Sequence, residues 1–373
     1  EMDDAYMEEL KKQIIHPEII KEVADDIKIV YSPFNGTGNV PARRILAELG
    51  FKHVYVVPEQ EMPDPNFTTL DYPNPEDPKA FELALKLAKE KNADIVLATD
   101  PDADRLGVYI KDKAGEYHCL TGNMSGSLLA DYEIGQMKVT KGLPEDGALI
   151  KSIVTTNLVD EMAKQYGVKL IEVLTGFKFI GQKMLEFETK KNGTYLFGFE
   201  ESYGCLIGTH ARDKDAIVAT MALCEAAAYY KSLDMTLWDA MLQVYEKYGC
   251  YVDDIKTLTL KGIEGLEQIQ KIMNHLKSNT PTEIAGYKVL WAKNYDNDTI
   301  TNMTNKAVVP TGLPKSNVVY YDLEGGSWLC VRPSGTEPKI KFYYGVVGKD
   351  IEEAKELSEK FGDAVLKMIE YMM

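Results

Sequence analysis

Short apolar runs alternate with longer amphipathic stretches through the first part of the chain. Residues 27–31, 53–57 and 94–100 are apolar runs of strand length, and the last is typical of a buried strand. Between them, one amphipathic stretch ends at Gly50 and another covers 77–93, which predicts helices. This strand–helix–strand–helix order predicts an α/β unit with a parallel sheet.

The same rhythm restarts after residue 118 and predicts a second α/β unit of similar size. Thr121 is a candidate N-cap for its first helix, because its hydroxyl can accept a hydrogen bond from a free backbone N–H group. The elements that follow are strand 148–156, helix 157–167, strand 168–174, helix 176–188, strand 193–204 and helix 214–233. We interpret this unit as a diverged repeat of the first.

The pattern changes near residue 249, where short strand-like runs crowd together around few helices. Such crowding is typical of an antiparallel sheet in an α+β domain. The sequence therefore predicts two similar α/β domains with mixed or parallel sheets, 1–118 and 119–248, followed by a smaller α+β domain with an antiparallel sheet, 249–373.

The composition of the chain limits the classes of binding partner and the cellular compartment that we expect. A net charge of −16 argues against a nucleic-acid partner, because phosphate contacts need a basic surface. No apolar run approaches the length of a membrane-spanning helix, so no membrane partner is expected. The five cysteines are scattered and form no CxxC pair, which argues against disulfides or zinc and favours the cytoplasm.

The stretch ATDPDADRLGV (98–108) concentrates three carboxylates where a predicted strand ends. Asp100, Asp102 and Asp104 occupy alternate positions, so in an extended loop they point the same way. Without a cation they would repel one another, and Mg²⁺ is a hard ion that prefers oxygen ligands. An EF-hand is excluded, because Arg105 stands at its required glycine position. The pattern predicts a magnesium site, with a solvated acidic turn as the alternative.

The stretch VRPSGTEPKIKFY (331–343) combines groups that bind anions. Arg332 offers a fork of donors, Ser334 and Thr336 offer hydroxyls, and Gly335 allows backbone N–H groups to face one oxyanion. A phosphate-binding loop and a plain hairpin turn both remain open on this pattern.

The stretch GFEESYG (198–204) ends a predicted strand with Glu200, Glu201 and Ser202. Adjacent carboxylates and a hydroxyl at a strand tip can bind sugar hydroxyls. An ordinary charged turn explains the same residues.

The stretch HARDKDA (210–216) places a small basic cluster directly before a predicted helix. Arg212 and Lys214 at that position could bind a phosphate, and the lysine could act as an acid or base. The alternative is a simple helix start capped by Asp213.

Taken together and in this order, the motifs DPDADR, TGFKFIG, GFEESYG, ARDKDA and RPSGTEP resemble the α-D-phosphohexomutase superfamily, in particular phosphoglucomutases and phosphomannomutases. The resemblance covers essentially the whole chain. It implies three similar α/β domains and a fourth with an antiparallel sheet, of which this chain matches the last three. It also implies an isomerase that interconverts hexose 1-phosphate and hexose 6-phosphate through a phosphoserine and a hexose bisphosphate.

The resemblance implies a role for each candidate residue. These roles are Mg²⁺ binding by Asp100, Asp102 and Asp104; catalysis by Arg105 and Lys214; and substrate binding by Glu200, Ser202, Arg212, Arg332, Ser334, Gly335 and Thr336.

Two departures from the family pattern stand out. Pro101 and Ala103 occupy positions where many members have glycine. The family's serine loop, of the form Thr-Ala-Ser-His-Asn-Pro, is absent from these 373 residues. We therefore expect the nucleophilic serine to lie in a missing N-terminal domain of the same polypeptide, and the chain alone to be inactive.

Two other functions remain open. A non-catalytic sugar-phosphate-binding protein would use the same binding residues without turnover. A magnesium-dependent phosphatase with Asp100 as the nucleophile is the other, although it leaves RPSGTEP unexplained. Glucose and mannose both fit GFEESYG, and its double glutamate resembles the glucose-preferring members of the family.

Overall fold

The computed structural model describes residues 1–260, 262–334 and 338–372. They form two compact units, Glu1–Thr155 with Val159–Lys247 and Thr156–Leu158 with Tyr248–Met373. The first unit contains two α/β sheets and the second contains an antiparallel sheet. The predicted fold class is thereby confirmed, whereas the domain boundaries after residues 118 and 248 stay predictions.

The first sheet has three parallel strands, followed at one edge by two strands that each run antiparallel to the strand before. Its strands are β1 (Lys28–Ser32), β2 (His53–Val56), β3 (Ile95–Thr99), β4 (Leu106–Lys111) and β5 (Tyr117–Leu120), in the spatial order β2–β1–β3–β4–β5. The helices here are α1 (Met2–Lys11), α2 (Pro17–Val23), α3 (Asn39–Leu49), α4 (Pro58–Glu61) and α5 (Glu82–Lys91). Every residue of β3 is buried, as its continuous apolar run predicts.

The second sheet repeats the order of the first four strands. Its elements are α6 (Gly122–Thr140), β6 (Gly147–Ser152), α7 (Leu158–Tyr166), β7 (Lys169–Val173), α8 (Phe177–Lys190), β8 (Thr194–Glu200), β9 (Gly204–Ile207), α9 (Ala216–Ser232) and α10 (Leu237–Tyr248). The spatial order is β7–β6–β8–β9, with β9 antiparallel to β8. As predicted, Thr121 caps α6, and its hydroxyl accepts a hydrogen bond from the Met124 backbone N–H at 3.2 Å.

Helix α9 is buried along almost its whole length. Its sequence is apolar on every side, which indicates a helix surrounded by other elements. It packs against α2 and α3 of the first α/β region and against α6 and β9 of the second. The two α/β regions therefore share this helix as a common layer.

The second unit is built on an antiparallel sheet. Its elements are β10 (Cys250–Thr259), α11 (Gly262–Ser278), β11 (Glu283–Ile284), β12 (Tyr287–Asn294), β13 (Thr299–Asn302), β14 (Val308–Val309), β15 (Val319–Leu323), β16 (Trp328–Pro333), β17 (Lys339–Gly348) and α12 (Ile351–Glu370). The order is β10–β17–β16–β15–β12–β13–β14, with β11 on β12. Apolar residues of α11 and α12, among them Met273 and Phe361, join the core beside this sheet. Among the described helices, none combines the length and apolar character that crossing a membrane requires.

Candidate active site

The three predicted metal ligands lie in the turn between β3 and β4. One carboxylate oxygen from each of Asp100, Asp102 and Asp104 can be chosen so that all three lie within 4.8 Å of one another. Asp100 closes this turn, because its Oδ1 accepts hydrogen bonds from the backbone N–H groups of Asp104 at 3.0 Å and Arg105 at 2.9 Å. We call residues 100–105 the metal turn.

The backbone of the metal turn explains the first departure from the family pattern. Ala103 has a φ of 59°, in the left-handed region that glycine adopts without strain. The carbonyl oxygen of Ala103 accepts a hydrogen bond from the Ala216 backbone N–H at 3.0 Å, which ties the turn to the start of α9. Ala103 thus adopts a left-handed conformation although it carries a side chain.

A second turn, between β1 and α3, packs against the metal turn. A Cβ atom on Gly36 would lie 2.4 Å from the Pro101 Cα, so only glycine allows this approach. The Thr37 backbone N–H also donates to the Pro101 carbonyl oxygen at 2.9 Å. This glycine turn therefore has a structural role, because it packs directly against the metal turn.

The electrostatics of the metal turn favour a cation. Burial raises the pKa of Asp100 to about 7, and the negative charges of Asp104 and Asp102 add to the effect. A divalent ion among the three carboxylates would remove this repulsion, and carboxylate oxygens suit a hard ion such as Mg²⁺. The donor set and its spacing fit that ion.

Arg105 and Lys214 bring positive charge to the metal turn. The Arg105 Nε atom lies 3.8 Å from Asp100 Oδ2 and 3.7 Å from Asp104 Oδ1. Its Nη1 donates to Glu76 Oε1 at 2.9 Å. The Lys214 Nζ atom lies 3.0 Å from Asp104 Oδ2. Glu76 comes from a proline-rich loop and was missed by the sequence reasoning, because nothing near it in sequence indicates a partner.

The motif GFEESYG forms the corresponding turn between β8 and β9, and we call residues 200–203 the sugar turn. Glu200 Oε1 accepts a hydrogen bond from the Gly176 backbone N–H at 2.7 Å. Glu201 Oε2 accepts hydrogen bonds from the hydroxyls of Ser152 at 3.2 Å and Thr155 at 3.3 Å. Burial raises the pKa of Glu200, and it raises that of Glu201 to about 7. Ser202 is half-buried at the tip.

The two turns are joined to each other. Tyr203 has a φ of 68°, and its carbonyl oxygen accepts a hydrogen bond from the Leu106 backbone N–H at 2.9 Å. Leu106 directly follows the metal turn. The charges of Lys214 and Arg105 also act to lower the pKa of Glu200 against the effect of burial, so these groups are close in space.

The segment before α9 differs from the sequence-based alternative. Asp215 caps α9 and accepts hydrogen bonds from the backbone N–H groups of Ile217 and Val218, whereas Asp213 had been the candidate. Tyr6 donates to both Asp215 carboxylate oxygens at 2.8 Å, a contact 209 residues apart that the sequence could not reveal.

The Arg212 guanidinium has different hydrogen-bond partners from the Lys214 ammonium. Its Nη2 atom donates to Glu188 Oε2 of α8 at 2.6 Å, and its Nη1 donates to the carbonyl oxygens of Thr209 and Ala211. The guanidinium therefore bonds to α8 and to its own loop. Its predicted substrate contact stays a prediction.

The predicted phosphate-binding residues belong to the second unit. Arg332 lies on β16 opposite Lys341 of β17, and the Ser334 backbone N–H donates to the Lys339 carbonyl oxygen at 2.7 Å. Arg332 and Ser334 are both half-buried. Gly335 and Thr336, the other two predicted residues, lie outside the described residues.

An open cleft of about 660 Å³ lies beside the metal turn in the first unit. The residues that line it include Asp102, Asp104, Lys214, Tyr6 and Arg44. Anionic and cationic groups thus face one space large enough for a small polar ligand.

Three family models match consecutive parts of the chain. They describe the phosphoglucomutase/phosphomannomutase alpha/beta/alpha domain II at residues 4–115, the alpha/beta/alpha domain III at 121–248 and the C-terminal domain at 276–364. The chain belongs to the phosphoglucomutase/phosphomannomutase family. The resemblance inferred from the motifs is confirmed.

Curated phosphoglucomutases are similar to this family member over most of its length. The phosphoglucomutase of Staphylococcus aureus strain MRSA252 is 36% identical over 331 residues, which cover 89% of this chain and 59% of that protein. The phosphoglucomutase of Staphylococcus epidermidis strain ATCC 12228 is 36% identical over 340 residues, with coverage of 91% and 60%. The chain thus spans about three fifths of these relatives.

Solved structures share the fold at low sequence identity. The Paramecium phosphoprotein parafusin, a phosphoglucomutase in its open form, aligns with a TM-score of 0.67 and 18% identity, covering 99% of this chain and 61% of that chain. The N-acetylphosphoglucosamine mutase of Aspergillus fumigatus aligns with a TM-score of 0.56 and 14% identity, covering 97% and 70%.

Proposed function

We propose that the chain forms the metal-binding, sugar-recognition and phosphate-binding parts of an enzyme that interconverts hexose 1-phosphate and hexose 6-phosphate, with glucose as the sugar. The observation that carries this proposal is the joining of the metal turn to the sugar turn. Three carboxylates, Arg105 and Lys214 meet at the first, and the second presents Glu200 and Ser202.

Each residue has a distinct task in this proposal. Asp100, Asp102 and Asp104 would hold Mg²⁺, which when bound neutralises charge on a phosphoryl group in transfer. Arg105, whose Nε atom lies 3.8 Å from Asp100 Oδ2 and 3.7 Å from Asp104 Oδ1, would contact that phosphoryl group. Lys214 is the candidate for moving a proton at a sugar hydroxyl.

Substrate binding completes the proposed scheme. Glu200 and Ser202 would bind sugar hydroxyls, Arg212 would add a substrate contact, and the phosphate not being transferred would be bound by Arg332, Ser334, Gly335 and Thr336. A serine outside these 373 residues would carry the phosphoryl group, since the family's serine loop is not among them.

Ligands of the related structures support the substrate class. The A. fumigatus mutase was solved with GlcNAc-6P and magnesium, and a variant of it was solved with glucose 1,6-bisphosphate. The names of the curated relatives support glucose as the sugar.

Titration calorimetry with glucose 6-phosphate and Mg²⁺ tests the binding part of this proposal. We expect binding by the chain, loss of binding in Arg332→Ala, and no change in Lys349→Ala, whose lysine is exposed in the same unit. Mannose 6-phosphate should bind more weakly. Absence of sugar-phosphate binding in the unmodified chain would contradict the proposal.

Product analysis separates turnover from binding. With glucose 1-phosphate, Mg²⁺ and glucose 1,6-bisphosphate, we expect these 373 residues to form no glucose 6-phosphate. Interconversion by the chain alone would refute the external serine, and release of inorganic phosphate would favour the phosphatase.

A further inference from the structure

Lys214 connects the two turns of the site. Its side chain is only 12% exposed, and its Nζ atom ends 3.0 Å from Asp104 Oδ2 and 3.2 Å from Asp213 Oδ1. Among the three predicted metal ligands, Asp104 is thus the one whose charge a lysine already balances. The ammonium also lies 5.8 Å from the centre of the Phe177 ring, at the start of α8.

Gly204 leaves the space through which the Lys214 side chain passes. A Cβ atom on Gly204 would lie 2.0 Å from Lys214 Cδ and 2.7 Å from Lys214 Cγ. The backbone of Gly204 is not in the left-handed region, so the turn itself does not require glycine there. The absent side chain instead leaves a path for the lysine stem from the sugar turn to the metal turn.

A divalent cation and this ammonium would compete for the same carboxylate. Two positive groups a few ångström apart repel each other, and the repulsion is stronger where water is partly excluded. An ion coordinated by Asp104 therefore weakens the ion pair between the Asp104 carboxylate and the Lys214 ammonium.

We propose that Lys214 is the counter-ion of the metal-free aspartate cluster and that a divalent cation displaces its ammonium from Asp104. This inference rests on the proposed metal site. The stem stays against Gly204, so the displaced ammonium remains near the sugar turn, where its charge already acts on Glu200. Metal binding thereby frees a cation for an anionic substrate, and by linkage the two ligands strengthen each other's binding.

Manganese affinity measures the competition directly, with Mn²⁺ as a spectroscopic substitute for Mg²⁺. In Lys214→Met we expect Mn²⁺ to bind about tenfold more tightly, the order expected for removing one positive charge near a divalent ion. Lys214→Arg, which keeps the charge, should bind Mn²⁺ less tightly than Lys214→Met. Lys183→Met is the matched control, because it removes a lysine paired with Glu186 in the same unit.

Asp102→Asn separates this inference from the proposed metal site. If Asp102→Asn loses Mn²⁺ binding and Lys214→Met gains it, the inference is supported. If Asp102→Asn loses binding but Lys214→Met gains none, the counter-ion role is refuted and the metal site stands. If Asp102→Asn binds Mn²⁺ as the unmodified chain does, both proposals fall.

Reductive methylation of the unmodified chain gives a test that needs no substitution in the site. Lys214 methylation, followed by mass spectrometry, should accelerate several-fold when Mg²⁺ is added, while Lys183 methylation stays constant. Equal Lys214 rates with and without Mg²⁺ would overturn the displacement.

Discussion

The metal turn and the sugar turn occupy equivalent places in two sheets that share the order of four strands, yet the groups around their carboxylates differ. One joins β3 to the antiparallel β4, and the other joins β8 to the antiparallel β9. Each contains a left-handed residue that is not glycine, Ala103 in the first and Tyr203 in the second. The two connections differ in length, and they differ also in what surrounds the carboxylates.

Both turns supply donors to a carboxylate, since Asp100 receives two backbone N–H groups in the metal turn. In the sugar turn, neutral donors reach both glutamates. Glu200 receives a backbone N–H group, and Glu201 receives two hydroxyls. In the metal turn, three carboxylates converge, and their cationic neighbours are Arg105 and Lys214. The same kind of strand connection can therefore surround its carboxylates with neutral donors or with cationic side chains.

The largest expected effect concerns Glu201, whose pKa of about 7 lies above the ordinary 4.5. Between these pH values the folded protein keeps a proton that the unfolded chain releases. The free energy of unfolding should therefore fall as pH rises through this window, by about 3 kcal/mol relative to Glu201→Gln. Urea denaturation of both proteins at pH 4.5, 6.0 and 7.5 measures the difference.

Glu246→Gln serves as the control for this titration, because Glu246 is exposed on α10. Its stability difference from the unmodified chain should stay constant with pH. A constant difference for Glu201→Gln as well would show that the sugar turn does not hold a protonated carboxyl group.

The next effect tests whether the two turns bind separate ligands. Asp102→Asn should weaken Mn²⁺ binding about 100-fold, because it removes one of three charged oxygen ligands. Glu200→Gln should weaken glucose 6-phosphate binding about tenfold, through a lost charge-assisted hydrogen bond. Calorimetry of each variant with each ligand gives four affinities. If both variants lost affinity for both ligands to the same extent, the two turns would have to be regarded as a single binding site.

The smallest effect concerns the left-handed residue of the metal turn. Ala103→Gly should raise the free energy of unfolding by up to about 1 kcal/mol, because glycine adopts this φ without strain. Ala47→Gly, at an exposed position in α3, should lower it by about 1 kcal/mol. Thermal unfolding of the two variants should therefore shift in opposite directions, and shifts of the same sign would exclude strain at Ala103.

Features set by local sequence were predictable. The apolar run of β3, the cap at Thr121 and the end of α3 at Gly50 follow from a few neighbouring residues, and the structure has all three. The convergence of Asp100, Asp102 and Asp104 was predicted correctly, but for an extended segment. The structure instead forms it in a turn, in which Ala103 is left-handed and its backbone N–H donates to the Asp100 carbonyl oxygen at 3.0 Å.

Contacts between distant segments were not predictable. Glu76 reaches Arg105 from a proline-rich loop, and Tyr6 reaches Asp215 from the first helix. Each partner alone is an ordinary polar residue, and only the packing of helices around the sheets brings them together. The same holds for Lys214, whose motif indicated a basic cluster but not the carboxylate that it contacts.

Helix α9 has a consequence for the order in which the molecule can fold. The helix lies some 60 residues beyond β6 in the chain, yet it packs against α2 and α3 at the chain's beginning. During synthesis the first sheet therefore emerges from the ribosome with one of its layers still untranslated. The faces of α2 and α3 that pack against α9 stay uncovered until then, and exposed apolar surface at such a stage favours chaperone binding or misassembly.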